Sequence, residues 1–170
     1  MKTSGSLIIL SFVVLYFVLD PYGFGYTAVS PLYTHVTYIF AHANMLHLAV
    51  NVVSFYYTYK ILKRLNILRV ALVASFVSAI LASFMPPCNF VPTVGASALI
   101  YAMLGAPLGG VLARRLVVTD KKLFVKTYAF VGVATGIQFL IPDVNMAVHV
   151  WAFGVNVVIL QIVWGGHTRT

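Results

Sequence analysis

Apolar residues gather along the chain in six stretches, at about residues 5 to 20, 45 to 62, 69 to 86, 95 to 113, 124 to 141 and 147 to 164. Each stretch is about 16 to 19 residues long, near the lower end of the roughly 17 to 25 that a helix needs to cross a hydrocarbon core of about 30 Å. The pattern predicts six short membrane-spanning helices, matched to a thinned bilayer or helped by snorkelling flanks. No composition shift marks a domain boundary and no internal repeat stands out, so residues 1 to 170 read as a single membrane domain. The expected fold class is all-α, a polytopic membrane protein built as a six-transmembrane-helix bundle.

Polar residues inside these stretches are few, and lipid makes each of them costly. They are His47 and Asn51 in the second stretch, Ser97 and Tyr101 at the head of the fourth, and His149 and Asn156 in the sixth. Taken singly, each reads as a hydrogen bond between helices. Their depths agree, however. At about 1.5 Å of rise per residue, Ser97 stands about 25 Å above Arg114, His47 about 24 Å above Lys63 with Asn51 about 6 Å lower, and His149 about 23 Å above Trp164. A serine, two histidines and an asparagine from three helices thus share one layer beneath a membrane face. His47, Asn51, Ser54 and Thr58 fall on one side of the second helix, a stripe expected to face inward. Ala98, Ala102, Gly105 and Gly109 make a small-residue stripe on the fourth, and Gly132 and Gly136 a similar pair on the fifth. Small residues let backbones approach, so the fourth helix is predicted to lie at the centre.

Composition identifies the solvent. With 61% hydrophobic and 8% charged residues and a mean hydropathy of +0.97, there is too little polar surface to cover a water-soluble domain. Disorder, collagen-like repeats and a disulfide-stapled fold are excluded, and Cys88 is the single cysteine. A net charge of +8, from eleven Lys and Arg against three acidic residues, would suggest nucleic acid as a partner in a soluble protein. Here the basic residues fall only at Lys2, between Lys60 and Arg69, between Arg114 and Lys126, and at Arg169. Six spans put all of these on one side, which the positive-inside rule makes cytoplasmic. The bilayer and not nucleic acid is the expected partner, and the expected product is a multi-pass protein of the cell membrane with both termini in the cytoplasm. Asp20 and Asp143 then lie outside and Asp120 in a cytoplasmic loop.

Residues 1 to 20 resemble a signal peptide but lack a small-residue cleavage site before Asp20-Pro21-Tyr22, so they read as a retained first helix. The connection from Pro21 to about Met45 carries Tyr22, Phe24, Tyr26, Tyr33, Tyr38 and Phe40, which suit the headgroup layer. It reads as a packing or membrane-dipping element.

The shared layer has the parts of a hydrolase. A serine hydroxyl becomes a nucleophile when a base accepts its proton, and histidine is the usual base near neutral pH. Ser97 and His149 supply that pair. The oxyanion of a tetrahedral intermediate needs preorganised donors, for which Asn51, His47 and the backbone N–H groups at the head of the fourth helix are placed. No acid stands near His149 in sequence, so the expected machinery is a dyad. Gly95-Ala96-Ser97-Ala98 gives the turn into the fourth helix little bulk.

The stretch His42-Ala43-Asn44-Met45-Leu46-His47-Leu48-Ala49-Val50-Asn51 resembles the second-helix motif of rhomboid intramembrane serine proteases. Gly95-Ala96-Ser97 followed by Tyr101 is similar to their G-x-S motif, and Val148-His149 to their last catalytic motif. The three occur in family order and the resemblance spans about residues 5 to 164. It implies a rhomboid-like six-helix bundle and an endopeptidase that cuts transmembrane proteins near the outer face, with no metal or other cofactor. By position, Ser97 resembles the nucleophile, His149 its base, His47 and Asn51 the oxyanion-side residues, and Tyr101 the aromatic packed on the catalytic histidine. His42 resembles the upstream histidine, with a structural role in the loop. The chain departs from the pattern at Ala98, where glycine usually follows the serine, and at Ala152 and Asn156, where the last helix usually carries glycines. These departures put close packing of the fourth and sixth spans in question. The Trp-Arg pair common in the first loop is absent.

Other functions are open to the same residues. A non-catalytic rhomboid-like protein could bind client helices; the intact Ser97 and His149 argue against it. A haem or metal held by His47 and His149 would leave Ser97 unexplained. A channel or transporter would need an embedded acid or base pair marking an ion path. Cys88 as nucleophile has no cation near it in sequence to activate it.

Overall fold

The computed structural model of the chain describes residues 3–85, 90–117, 120–138 and 144–165. Lys2, Cys88, Asp143, Arg169, the ends of the third and fifth predicted spans at 86 and 139–141, and the surroundings of Gly132 and Gly136 lie outside what is described. The described residues form eight helices: α1 (Thr3–Tyr16), α2 (Pro21–Phe24), α3 (Thr34–Thr37), α4 (Met45–Arg64), α5 (Leu68–Ala82), α6 (Ser97–Leu112), α7 (Lys121–Gln138) and α8 (Met146–Gly165). They contain no strand, only an isolated antiparallel bridge between Tyr26 and Thr93. The fold is all-helical, as the hydrophobic pattern predicts.

Six of the helices overlie the six apolar stretches, and their ends have local causes. α1 stops at Tyr16 because the chain is restarting: Asp20 accepts a hydrogen bond from Gly23 N at 2.9 Å, and Pro21 takes the first position of α2. α4 begins where the Asn44 side chain accepts from His47 N at 2.8 Å. α5 closes where the Ser83 hydroxyl donates back to Ile80 O at 2.6 Å. Among the described residues one helix, Met146–Gly165, is by itself long and apolar enough to cross a membrane, while Gly5–Tyr16, Leu68–Ala82 and Ser97–Leu112 are apolar but shorter. α4 and α7 carry lysines within their length, Lys60 and Lys63 in one and Lys121, Lys122 and Lys126 in the other.

The bundle is arranged as a membrane solvent requires, with apolar side chains outside and polar ones gathered within. Leu7, Phe17, Val53, Val73 and Ile162 are exposed, whereas Ser75, Ser78, Asn51, His149 and Asn156 are buried. α6 is the axis: Ala98 through Pro107 are all buried, and the helix packs against α8, α5 and α4. Its closest neighbour is α8. A Cβ on Gly105 would lie 2.5 Å from Phe153 O, and one on Gly109 would lie 2.9 Å from Val157 O. The missing side chains let the two backbones touch. Ala152, where the family pattern has glycine, is fully buried in this seam, so close packing of α6 and α8 survives the departures because α6 supplies the space.

Asn156 turns the other departure into a cross-link. Its Nδ2 donates to Ala102 O on α6 and to Ser75 Oγ on α5 at 3.3 Å, while its Oδ1 accepts from Ser78 Oγ at 3.2 Å. One amide thereby joins three helices in the buried interior, where unsatisfied polar groups are expensive.

The aromatic connection before α4 divides in two. Tyr22 and Tyr33 are exposed as expected of a headgroup layer, but Tyr26 and Tyr38 are fully enclosed and belong to the core. Tyr38 Oη donates to Ala79 O at 2.8 Å and its ring stands edge-on to Tyr26. Burying two phenols is affordable because the connection folds onto α5 and onto the segment entering α6.

Gly105→Val tests the seam. Its branched side chain must displace the backbone of α8, so the thermal unfolding midpoint in detergent should fall, by a loss of roughly 1 to 3 kcal/mol. An unchanged midpoint would show that the helices separate at no cost.

Candidate active site

The head of α6 is delivered by a strained turn. Gly95 has φ +111°, a backbone conformation that side-chain-bearing residues avoid, and its N–H donates to Tyr38 O at 2.8 Å. The loop that buries Tyr38 therefore also fixes the entry to α6. A Cβ on Gly95 would fall 2.6 Å from both Cε1 and Nε2 of His47 and 3.1 Å from Asn51 Nδ2. Glycine is thus needed twice over, for its torsion and for the closeness of two α4 side chains. Ser97 follows as the first residue of α6.

α8 is held at the same level by Asn145. Its Oδ1 accepts from Val148 N at 3.3 Å, as an N-cap does, and its Nδ2 donates to Thr93 Oγ1 at 3.0 Å and Tyr26 Oη at 3.2 Å. The start of α8 is pinned to the segment that leads into Ser97. Across this short span Ser97 Oγ and His149 Nε2 stand 2.7 Å apart. Donation from the hydroxyl to Nε2 leaves the proton of the neutral imidazole on Nδ1, and Nδ1 has no hydrogen-bond partner among the described residues. The His149 ring lies flat against Tyr101, centroids 4.7 Å apart and planes 3° from parallel. Stacking on Tyr101 orients the imidazole, and among the described residues no acid bonds to it.

Ser97, His149, Tyr101, Asn51, His47 and Gly95 are brought together, whereas Asn156 lies deeper, bonded to α5 and to Ala102. Asn51 is buried and its Nδ2 donor finds no partner among the described residues. An unspent amide donor beside the Gly95–Ser97 turn is suited to an anionic oxygen at that place. Of the α4 stripe, Asn51 and Thr58 are buried, and His47 and Ser54 are half-buried. Ser97, Asn51 and Tyr101 open on a groove of about 500 Å³ between α4, α6 and α7, whose far end reaches Lys126 and Thr127. Its walls are mainly apolar, with Val50, Val53 and Phe130 among them. Phe153 meets Tyr128 edge-on and is absent from the groove lining. No group of three His, Cys, Asp or Glu side chains fit to hold a metal occurs among the described residues.

Asn145 and Tyr38 escaped the sequence reading. Asn145 does carry a signal, an asparagine just before an apolar helix; the Tyr38 contact with Gly95 joins residues far apart in the chain and leaves none.

The chain matches the Rhomboid domain family over residues 30–166. No curated protein matches it.

His42 backs the site from the loop. Its Nδ1 donates to Phe40 O at 3.1 Å and its ring stands edge-on to His47, 5.3 Å away, consistent with a structural role. Burial, aided by repulsion from His47 and opposed by the Phe40 bond, pushes its pKa down to about 4. Burial likewise lowers that of His35, against the opposing bond to Ser83. An imidazole whose folded pKa lies below its unfolded value gives stability that is intact above the unfolded value of about 6.5 and declines as pH falls toward the folded one. The thermal midpoint should therefore drop between pH 6.5 and about 4, and His42→Gln should shallow that slope. An identical slope in the variant would place the titration elsewhere.

Proposed function

The chain belongs to the rhomboid family, and from that premise we propose that it is an intramembrane serine endopeptidase working with a Ser97/His149 dyad. The observation that carries the proposal is the 2.7 Å contact between Ser97 Oγ and His149 Nε2, with Ser97 opening on an apolar groove. In this reading the six long helices each span the bilayer as one membrane domain over residues 1 to 170. The basic ends of α4 and α7 face the cytoplasm with both termini, as the charge asymmetry favours, and the cell membrane is the host.

Ser97 attacks the carbonyl carbon of a substrate peptide bond while His149 Nε2 takes the hydroxyl proton. The oxyanion that forms is met by Asn51 Nδ2, the His47 ring and N–H groups at the head of α6. His149 then returns the proton to the leaving amine, and water, deprotonated by the same nitrogen, releases the acyl group from Ser97. Tyr101 holds the ring in register. The residues require no metal or cofactor for these steps.

The substrates are transmembrane proteins, cut near the outer face. A peptide bond inside a helix has its carbonyl engaged and must become extended before attack. Freed backbone groups are costly in hydrocarbon and cheaper where glycine or proline already weakens the helix. The flat ring of Tyr101 beside Ser97 favours a small side chain at the cut. The second reading is a rhomboid-like protein that binds client helices without cutting them, a task the apolar groove alone would serve.

A serine-directed fluorophosphonate probe separates the two readings. The native chain should label and Ser97→Ala should not, with proteolysis abolished in Ser97→Ala and His149→Ala. Absence of labelling in the folded native chain would favour the client-binding reading. Asn51→Ala removes one oxyanion donor of several, so turnover should fall by about ten to a thousandfold; a loss as complete as that of Ser97→Ala would make Asn51 structural.

Substrate unwinding has its own test. Of two otherwise identical model helices in one membrane, the Gly-rich version should be cut near the outer face and the all-Leu version spared, as mapped by mass spectrometry. Equal cutting of both would refute unwinding as a requirement.

A further inference from the structure

At the other end of the molecule from Ser97, a second cleft of about 650 Å³ opens between the start of α1 and the end of α4. Ile9 lines it on the α1 side, and Tyr56, Tyr59, Lys60, Lys63 and Arg64 on the α4 side. Among the described residues no acidic side chain lines it. Asp20 and Asp120 are occupied elsewhere, capping α2 and α7 through Gly23 N and Leu123 N. Three cations therefore line the cleft with no counter-charge among the described residues inside it. We propose that this cleft binds the phosphate headgroup of an anionic phospholipid.

The floor of the cleft is built for close approach. A Cβ on Gly5 would lie 2.8 Å from the Tyr59 ring, so the absence of one lets that ring rest on α1 and leaves room beside it. The Lys60 ammonium is held 5.1 Å over the Tyr56 ring, an arrangement that limits its wandering without spending its charge. The two phenols add hydroxyl groups for phosphate oxygens.

A lipid rather than a soluble phosphate is favoured by the surroundings. The cations sit where an apolar helix pair ends, the level at which headgroups lie. Above them α1 exposes Leu7, Leu10 and Val14, a surface along which acyl chains can lie. The site is remote from the dyad and does not depend on its chemistry.

Three probes offered separately to the full chain in neutral detergent test this: dioleoyl phosphatidylglycerol, dioleoyl phosphatidylcholine and glycerol 3-phosphate. Native mass spectrometry should show one phosphatidylglycerol retained, phosphatidylcholine held far more weakly, and glycerol 3-phosphate unable to displace the lipid. Lys60→Gln/Lys63→Gln should weaken retention roughly tenfold or more, while Lys121→Gln/Lys122→Gln, which removes the same charge elsewhere, should change it by no more than about twofold. Lys60, Lys63 and Arg64 are exposed, so their loss should leave the thermal midpoint in neutral detergent unchanged; Arg64→Gln is an independent second variant and should weaken retention as well. Equal retention of phosphatidylcholine, equal loss in the Lys121/Lys122 variant, or binding by glycerol 3-phosphate as tight as by the lipid would overturn the proposal. Fluorophosphonate labelling of Ser97 is read separately, so failure of the lipid site and failure of the protease reading are distinguishable.

Discussion

The meeting of the α6 and α8 backbones is the constraint on which the remaining structure depends. Two helices that carried ordinary side chains at their seam would stand about 8 to 10 Å apart, and a serine on one could not reach a histidine on the other without slack. Gly105 and Gly109 remove that spacing from the α6 side. Once the backbones touch, register along the seam is the remaining freedom, and two asparagines remove it. Asn156 ties the middle of α8 to Ala102 and to the serines of α5, and Asn145 ties its head to Thr93 and Tyr26. The 2.7 Å contact of Ser97 with His149 lies between an anchored helix end and a fixed turn.

The seam also explains why the site sits at one end of the bundle. Deep in the apolar interior every donor must be matched, and Asn156 uses both its amide groups. Near the head of α6 the matching stops, leaving Asn51 Nδ2 and His149 Nδ1 without partners among the described residues. Such groups are expensive to hold in reserve, and the cost is tolerable only where the surrounding framework is rigid. Gly95, pressed between His47 and Asn51, transmits that rigidity from α4 to α6.

Much of this was legible in the sequence because lipid makes polar residues conspicuous. Ser97, His149, His47 and Asn51 declared themselves by residue type and depth, and the glycines of α6 by their spacing. The six apolar stretches located the long helices, with errors at α1 and α5 where a capping Asp20-Pro21 pair and the Ser83 hydroxyl end the helix sooner than hydropathy does. The connection before α4 is legible only in part, with Tyr22 and Tyr33 exposed but Tyr26 and Tyr38 buried. Hydropathy cannot distinguish a tyrosine facing headgroups from one folded into a core, and Tyr26 and Tyr38 are distinguished only by contacts with Ala79, Gly95 and Asn145, distant in the chain. The α6–α8 seam is hard to read for a different reason: Ala152 and Asn156 look like losses on one helix, and the spare room lies on the other, at Gly105 and Gly109.

That last point reaches beyond this chain. A helix contact requires one absent side chain per point of approach, and it is indifferent to which helix provides the absence. Small residues can therefore migrate from one partner to the other over evolutionary time while the backbones stay where they were. The helix relieved of that duty is free to carry something larger, as α8 carries an asparagine that fastens three helices together. Patterns of glycine on single helices will accordingly undercount the membrane proteins that share one architecture, and counting vacancies across paired helices is the sounder measure.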